Sequence, residues 1–128
     1  MGGTIRTFRR ETRAYIEKRL NELCKGIADA HGAEIKIEFD LVNKYPPTIN
    51  SKEETKFAAN VAKDLVGDDK VITDIDPSMG GEDFSYLLEK KPGSYLYLGQ
   101  GDADHSAHLH TTKYDFNDNL LPIGVNFW

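Results

Sequence analysis

The chain has 128 residues, enough for one ordinary domain and too few for two independent ones with cores of their own. Hydrophobic residues make up 39% and charged residues 29%, so a folded core is expected and wholesale disorder is not. A net charge of −5 argues against nucleic acid or an anionic membrane as partner, and one cysteine, Cys24, allows no internal disulfide framework or Cys-rich zinc knuckle. The longest apolar runs are a few residues, too short to span a bilayer. MGGTIRTFRR lacks the apolar h-region of a secretory signal, which makes a reducing cytoplasm the default compartment.

Thr4–Phe8 alternates and reads as a strand. Residues 10–30 read as a helix, because Ile16, Leu20, Leu23 and Ile27 fall at spacings of 4, 3 and 4 and form one apolar stripe. Cys24 sits beside the stripe as a small core residue, and Gly32 is placed to end the helix in the left-handed conformation. Residues 34–42 read as the clearest strand, with Ile35, Ile37, Phe39 and Leu41 alternating against charged positions. Tyr45-Pro46-Pro47-Thr48 forces a stiff, extended connector, and a domain boundary is placed there. Ser51-Lys52-Glu53-Glu54 has a capping-box pattern and opens a second helix through Phe57, Val61 and Leu65 to Gly67. Val71–Thr73 reads as a short strand, Glu82–Glu89 as a short helix, Pro92-Gly93 as a turn and Ser94–Leu98 as a strand. Asn117 or Asp118 can cap a last helix, with Pro122 in its first turn.

Two segments carry candidate chemistry. Three of the four histidines, His105, His108 and His110, lie in one short stretch, and Asp115, Asn117 and Asp118 follow. Imidazoles with nearby carboxylates are what a divalent metal needs: neutral nitrogen ligands, and acceptors that fix the tautomer. Spacing alone favours a polar surface loop, since His108 and His110 point the same way only in extended backbone. In Met79-Gly80-Gly81-Glu82-Asp83-Phe84, paired glycines let a ligand approach the backbone, while Glu82 and Asp83 also suit a helix N-terminus without any ligand. No serine has the context of an activated nucleophile, and no phosphate-cradling loop is present.

Taken in order, GGTIRTF (2–8), YPPTIN (45–50), MGGEDFSYLL (79–88), PGSYLYLG (92–99) and HSAHLHTTKYDFNDNLLPIG (105–124) resemble the C-terminal part of a metal-dependent amidohydrolase family. That family includes hippurate hydrolases, N-acyl-amino-acid amidohydrolases and indole-acetyl-amino-acid hydrolases, all dinuclear metallopeptidases. The resemblance covers essentially the whole chain. It implies an α/β fold class: residues 1–45 as the end of an α+β dimerisation lid, and 46–128 as the end of an α/β catalytic sandwich. It implies His110 as a metal ligand, with Gly80, Gly81 and Glu82 on the loop facing metal and substrate. His105 and Ser106 match the pair that precedes the ligand, His108 matches no ligand position, and Thr111-Thr112 departs from the family's usual proline.

The same resemblance places the family's Cys-x-His pair, Glu-Glu pair, other ligand histidine and lid histidine outside these residues; Cys24 lacks a histidine two residues away. The expectation is therefore an incomplete copy with no catalytic residue of its own. Its parent would hydrolyse N-acyl amino acids with zinc, manganese, cobalt or nickel, while this chain alone would be inactive and hold little or no metal. The expected partners are the N-acyl amino acid, a missing N-terminal half or a second copy. The alternatives are a non-catalytic self-associating or binding module and one half of a split hydrolase.

Overall fold

In a computed structural model, which describes residues 2–40 and 44–128, the described residues form four α-helices and two single 3₁₀ turns. They are α1 (Arg10–His31), α2 (Lys52–Val66), α3 (Phe84–Leu88) and α4 (Leu121–Phe127), with 3₁₀ turns at Asp68–Lys70 and Asp118–Leu120. None of these helices is long and apolar enough to cross a membrane. The backbone groups into two compact units, one of Met1–Ile49 with Asp76–Pro92 and the other of Asn50–Ile75 with Gly93–Trp128.

In the first unit α1 ends as its sequence predicts. Gly32 adopts φ 60° and ψ 33°, and the cap N–H groups return to Ala28 and Asp29 carbonyls. Glu17 on α1 anchors the connector: Lys44 Nζ lies 2.9 Å from Glu17 Oε1, and Arg13 donates to the Tyr45 carbonyl at 3.3 Å. Tyr45 then meets Tyr86 of α3 edge to face, with ring centroids 5.8 Å apart. Pro46 is buried, Arg10 pairs with Glu89, and a cleft of about 320 Å³ lies among Phe8, Pro46, Pro47, Ser85 and Leu88.

In the second unit α2 packs against α4. Ser51 stands at the N-cap of α2, but its side chain accepts no N–H from the helix. Its Oγ instead accepts the Gly93 N–H at 3.1 Å, and its own N–H donates to the Gly93 carbonyl at 2.9 Å. The expected capping box is thus spent on a distant loop. Asn50 works beside it: its Oδ1 accepts the Tyr95 N–H at 2.8 Å and its Nδ2 donates to the Tyr95 carbonyl at 2.9 Å. One side-chain amide thereby supplies both bonds a neighbouring strand would supply. Asn50→Ala is expected to speed exchange of the Tyr95 amide at least tenfold, read by hydrogen exchange, while α2 and α4 amides keep their protection.

The four expected strands do not pair among the described residues. Residues 4–8, 34–40, 71–73 and 94–98 lack strand partners there, and Leu41 and Val42 lie outside the described residues. Alternation gives a segment two faces, but a strand exists only through a partner's N–H and C=O groups. The apolar stripe of α1 is likewise uncovered, with Leu23 53% and Ile27 56% exposed. Besides Pro46, the buried apolar side chains among the described residues are Ala28 and Ala59.

Candidate metal-ligand and substrate loops

The glycine loop belongs to the first unit and the histidine loop to the second. Each is described by itself.

Glu82 takes the role a helix start calls for. Its Oε1 accepts the Phe84 N–H at 3.2 Å, and its carbonyl accepts both the Ser85 N–H at 3.3 Å and the Ser85 hydroxyl at 2.5 Å. Ser85 is fully buried, and its hydroxyl hydrogen is taken up by the Glu82 carbonyl. Gly80 and Gly81 do not use left-handed backbone, since the glycines with positive φ are Gly32 and Gly67. What Gly81 provides is closeness: a Cβ there would stand 3.4 Å from Tyr45 Cδ2.

The histidine loop is organised by Asp102. Its Oδ1 accepts the N–H of Asp104 at 2.9 Å, the N–H of His105 at 2.7 Å and the ring Nδ1 of His105 at 2.8 Å. Its Oδ2 accepts from Asn117 Nδ2 at 3.0 Å. Asn117 also accepts the Asn119 N–H through its own Oδ1, which settles the cap of the last helical segment on Asn117 rather than Asp118. Gln100 closes the network by donating to the Asp115 carbonyl at 3.0 Å. Sequence reading placed carboxylates near the histidines but did not single out Asp102. The signal was the Asp-x-x-His spacing, at which an aspartate oxygen reaches the next two or three amides.

The hydrogen bond from His105 is the largest cause holding the Asp102 carboxyl below the usual carboxylate range, and the N–H groups of His105 and Asp104 add to it. A lowered carboxylate stabilises the loop fully above its unfolded value near 3.9 and ceases to do so as pH falls through the lower folded value. The loop should therefore stay pinned at pH 5–7 and loosen only under strong acid. Amide exchange of Asp104 and His105 checks this; loosening that begins near neutrality would contradict it.

His110 differs from both neighbours. It is exposed, its ring makes no hydrogen bond or ion pair among the described residues, and its backbone stands at φ 63°. It is the one described non-glycine residue with positive φ, a conformation that L-residues adopt at a cost. His108 is also exposed, and its carbonyl accepts the Thr111 hydroxyl at 2.8 Å. As a metal donor, His110 fits in kind, an imidazole with nothing else bound to it. The set does not fit in number: no group of three or more His, Cys, Asp or Glu that could hold an ion occurs among the described residues.

Residues 4–128 match the peptidase family M20/M25/M40, and the chain belongs to that family. It is 35% identical over 125 residues to a hippurate hydrolase of Campylobacter jejuni, an alignment covering 98% of this chain and 31% of that protein. It is 33% identical to a putative amidohydrolase (YhaA) of Bacillus subtilis, over 93% of this chain and 30% of the relative. It is 36% identical to an N-acetyldiaminopimelate deacetylase of Lactobacillus helveticus, over 97% of this chain and 31% of the relative. The chain spans about a third of the length of the curated relatives it matches. No solved structure gives a significant match. Family membership fits a piece of an α/β metallopeptidase, and the amidohydrolase resemblance seen in the sequence holds.

Proposed function

We propose that this chain is the C-terminal part of an enzyme that hydrolyses the amide bond of N-acyl amino acids, and that alone it is inactive. The observation that carries the reading is the alignment of 98% of the chain with under a third of a hippurate hydrolase. On this reading residues 1–45 end the lid and 46–128 end the catalytic domain. His110 is one metal ligand, and Gly80, Gly81 and Glu82 shape the substrate side. A bound divalent ion supplies a Lewis acid and lowers the pKa of its water. The chain's own share is to offer the imidazole of His110, while Asp102 pins the loop that precedes it. The general base and the remaining ligands come from outside these residues. The single cysteine fits a reducing, cytoplasmic setting.

The test uses hippurate, N-acetyldiaminopimelate and an indole-acetyl amino acid with zinc or manganese. The 128-residue chain should give no turnover, and a polypeptide supplying the remaining two-thirds should give chelator-sensitive turnover. Turnover by this chain alone would refute its inactivity; none by the joined protein on any such amide would refute the activity. The uncovered apolar stripe of α1 favours a second reading, a self-associating module. A strict monomer by light scattering over a wide concentration range would count against it.

A further inference from the structure

We infer that Asp102 is a positioning residue that fixes His105 as the Nδ1–H imidazole, so that Nε2 is presented as a proton acceptor for an O–H or N–H donor. Nothing in the family comparison assigns a role to either residue, and the inference does not depend on the amide-hydrolase reading.

The geometry dictates the tautomer. A contact of 2.8 Å between His105 Nδ1 and Asp102 Oδ1 requires a proton between them. The carboxylate already accepts two backbone N–H groups and the Asn117 amide, so it acts as an acceptor throughout. The proton therefore belongs to Nδ1, and a neutral ring with Nδ1 protonated has its lone pair on Nε2. That nitrogen has no hydrogen-bond partner among the described residues. The His105 side chain is 20% exposed, covered enough to be held and open enough to be reached.

The clamp is held from behind as well. Asn117 donates to Asp102 Oδ2 and to the Gln100 carbonyl, and Gln100 ties to the Asp115 carbonyl. The groups bonded around the pair from 115–119 and from Gln100 are neutral amides and a backbone carbonyl. On its own loop, Asp104 contributes only its N–H. Among the described residues, Asp102 is thus the one charge bonded to the ring. When a donor arrives, its proton moves to Nε2, the donor atom keeps the electron pair of the broken bond, and the resulting imidazolium stays paired with Asp102. A carboxylate that orients an imidazole in this way is the arrangement hydrolases use to hold a histidine base.

Long-range ¹⁵N–¹H NMR of the 128-residue chain above the histidine titration range reads the tautomer directly. The expected result is Nδ1–H at His105 in the wild type, loss of that preference in Asp102→Ala, and its return in Asp102→Asn, whose side-chain oxygen can still accept. Nε2–H in the wild type, or the same tautomer in Asp102→Ala, would overturn the inference. Should Asp102→Ala lose its helical circular dichroism, the wild type and Asp102→Asn decide. Added zinc separates a proton acceptor from a metal ligand: in the chain joined to its remaining two-thirds, His105 resonances should hold still while those of His110 shift. Equal shifts at both would overturn the assignment.

Discussion

Replacing His110 with glycine is expected to raise the stability of this chain and to weaken zinc loading of the protein joined to its remaining two-thirds. The two effects have different origins. The backbone at φ 63° costs an L-residue about 1–2 kcal/mol that glycine does not incur, so the folded state should gain roughly 1 kcal/mol. The imidazole is exposed and makes no hydrogen bond among the described residues, so its removal breaks nothing in the fold. What it removes is the one site residue the family resemblance marks as a ligand. On the proposed function, the joined protein should lose more activity than the roughly 10–100-fold that follows loss of a mere outer-shell partner. His110→Asn separates the effects further, because asparagine tolerates left-handed backbone and lacks the ring. Thermal unfolding on the chain, with zinc calorimetry and turnover on the joined protein, checks all three. A destabilised glycine variant would refute the strain argument, and unchanged zinc uptake would refute the ligand.

Gly67→Ala is expected to be the most destabilising small substitution in the second unit. Gly67 ends α2 at φ 93° and ψ 152°, a region closed to residues with a Cβ. Its N–H donates to Lys63 and its carbonyl accepts from Lys70, so the backbone is held on both sides. A Cβ would also meet Asp69 Oδ1 at 2.9 Å. The conformational cost alone is about 1–3 kcal/mol. Asp69→Ala should relieve the clash and leave the conformational cost, so the double variant should recover only in part. Denaturant unfolding measures both, and a loss below about 0.5 kcal/mol for Gly67→Ala would contradict the argument.

What the sequence made legible was local. The Gly32 cap, the span of α2, the short helix after Glu82 and Pro122 in the first turn of α4 all follow from residues within one or two turns. Ser51 shows where local reading stops: its hydroxyl is held by Gly93, 42 positions away, and no pattern within the helix announces that. The strands failed for the same reason on a larger scale, since Ile35, Ile37 and Phe39 specify a face but not a partner. At the site, His110 and Gly80–Glu82 came from resemblance, and neither alternation nor spacing would have separated His110 from His108. Asp102 was legible in principle, as an aspartate three residues before a histidine. Its tie to Asn117 was not, because that bond joins segments 15 residues apart.

Trp128 is the chain's single tryptophan and is 97% exposed. It stands at the edge of a cleft of about 680 Å³ in the second unit, among Leu98, Phe116, Leu121 and Val125. An indole so fully hydrated emits far to the red, and any surface seated on that cleft would strip its water and move the emission to shorter wavelength. The protein therefore carries an intrinsic optical gauge of whatever docks on that cleft, readable at micromolar concentration without a label.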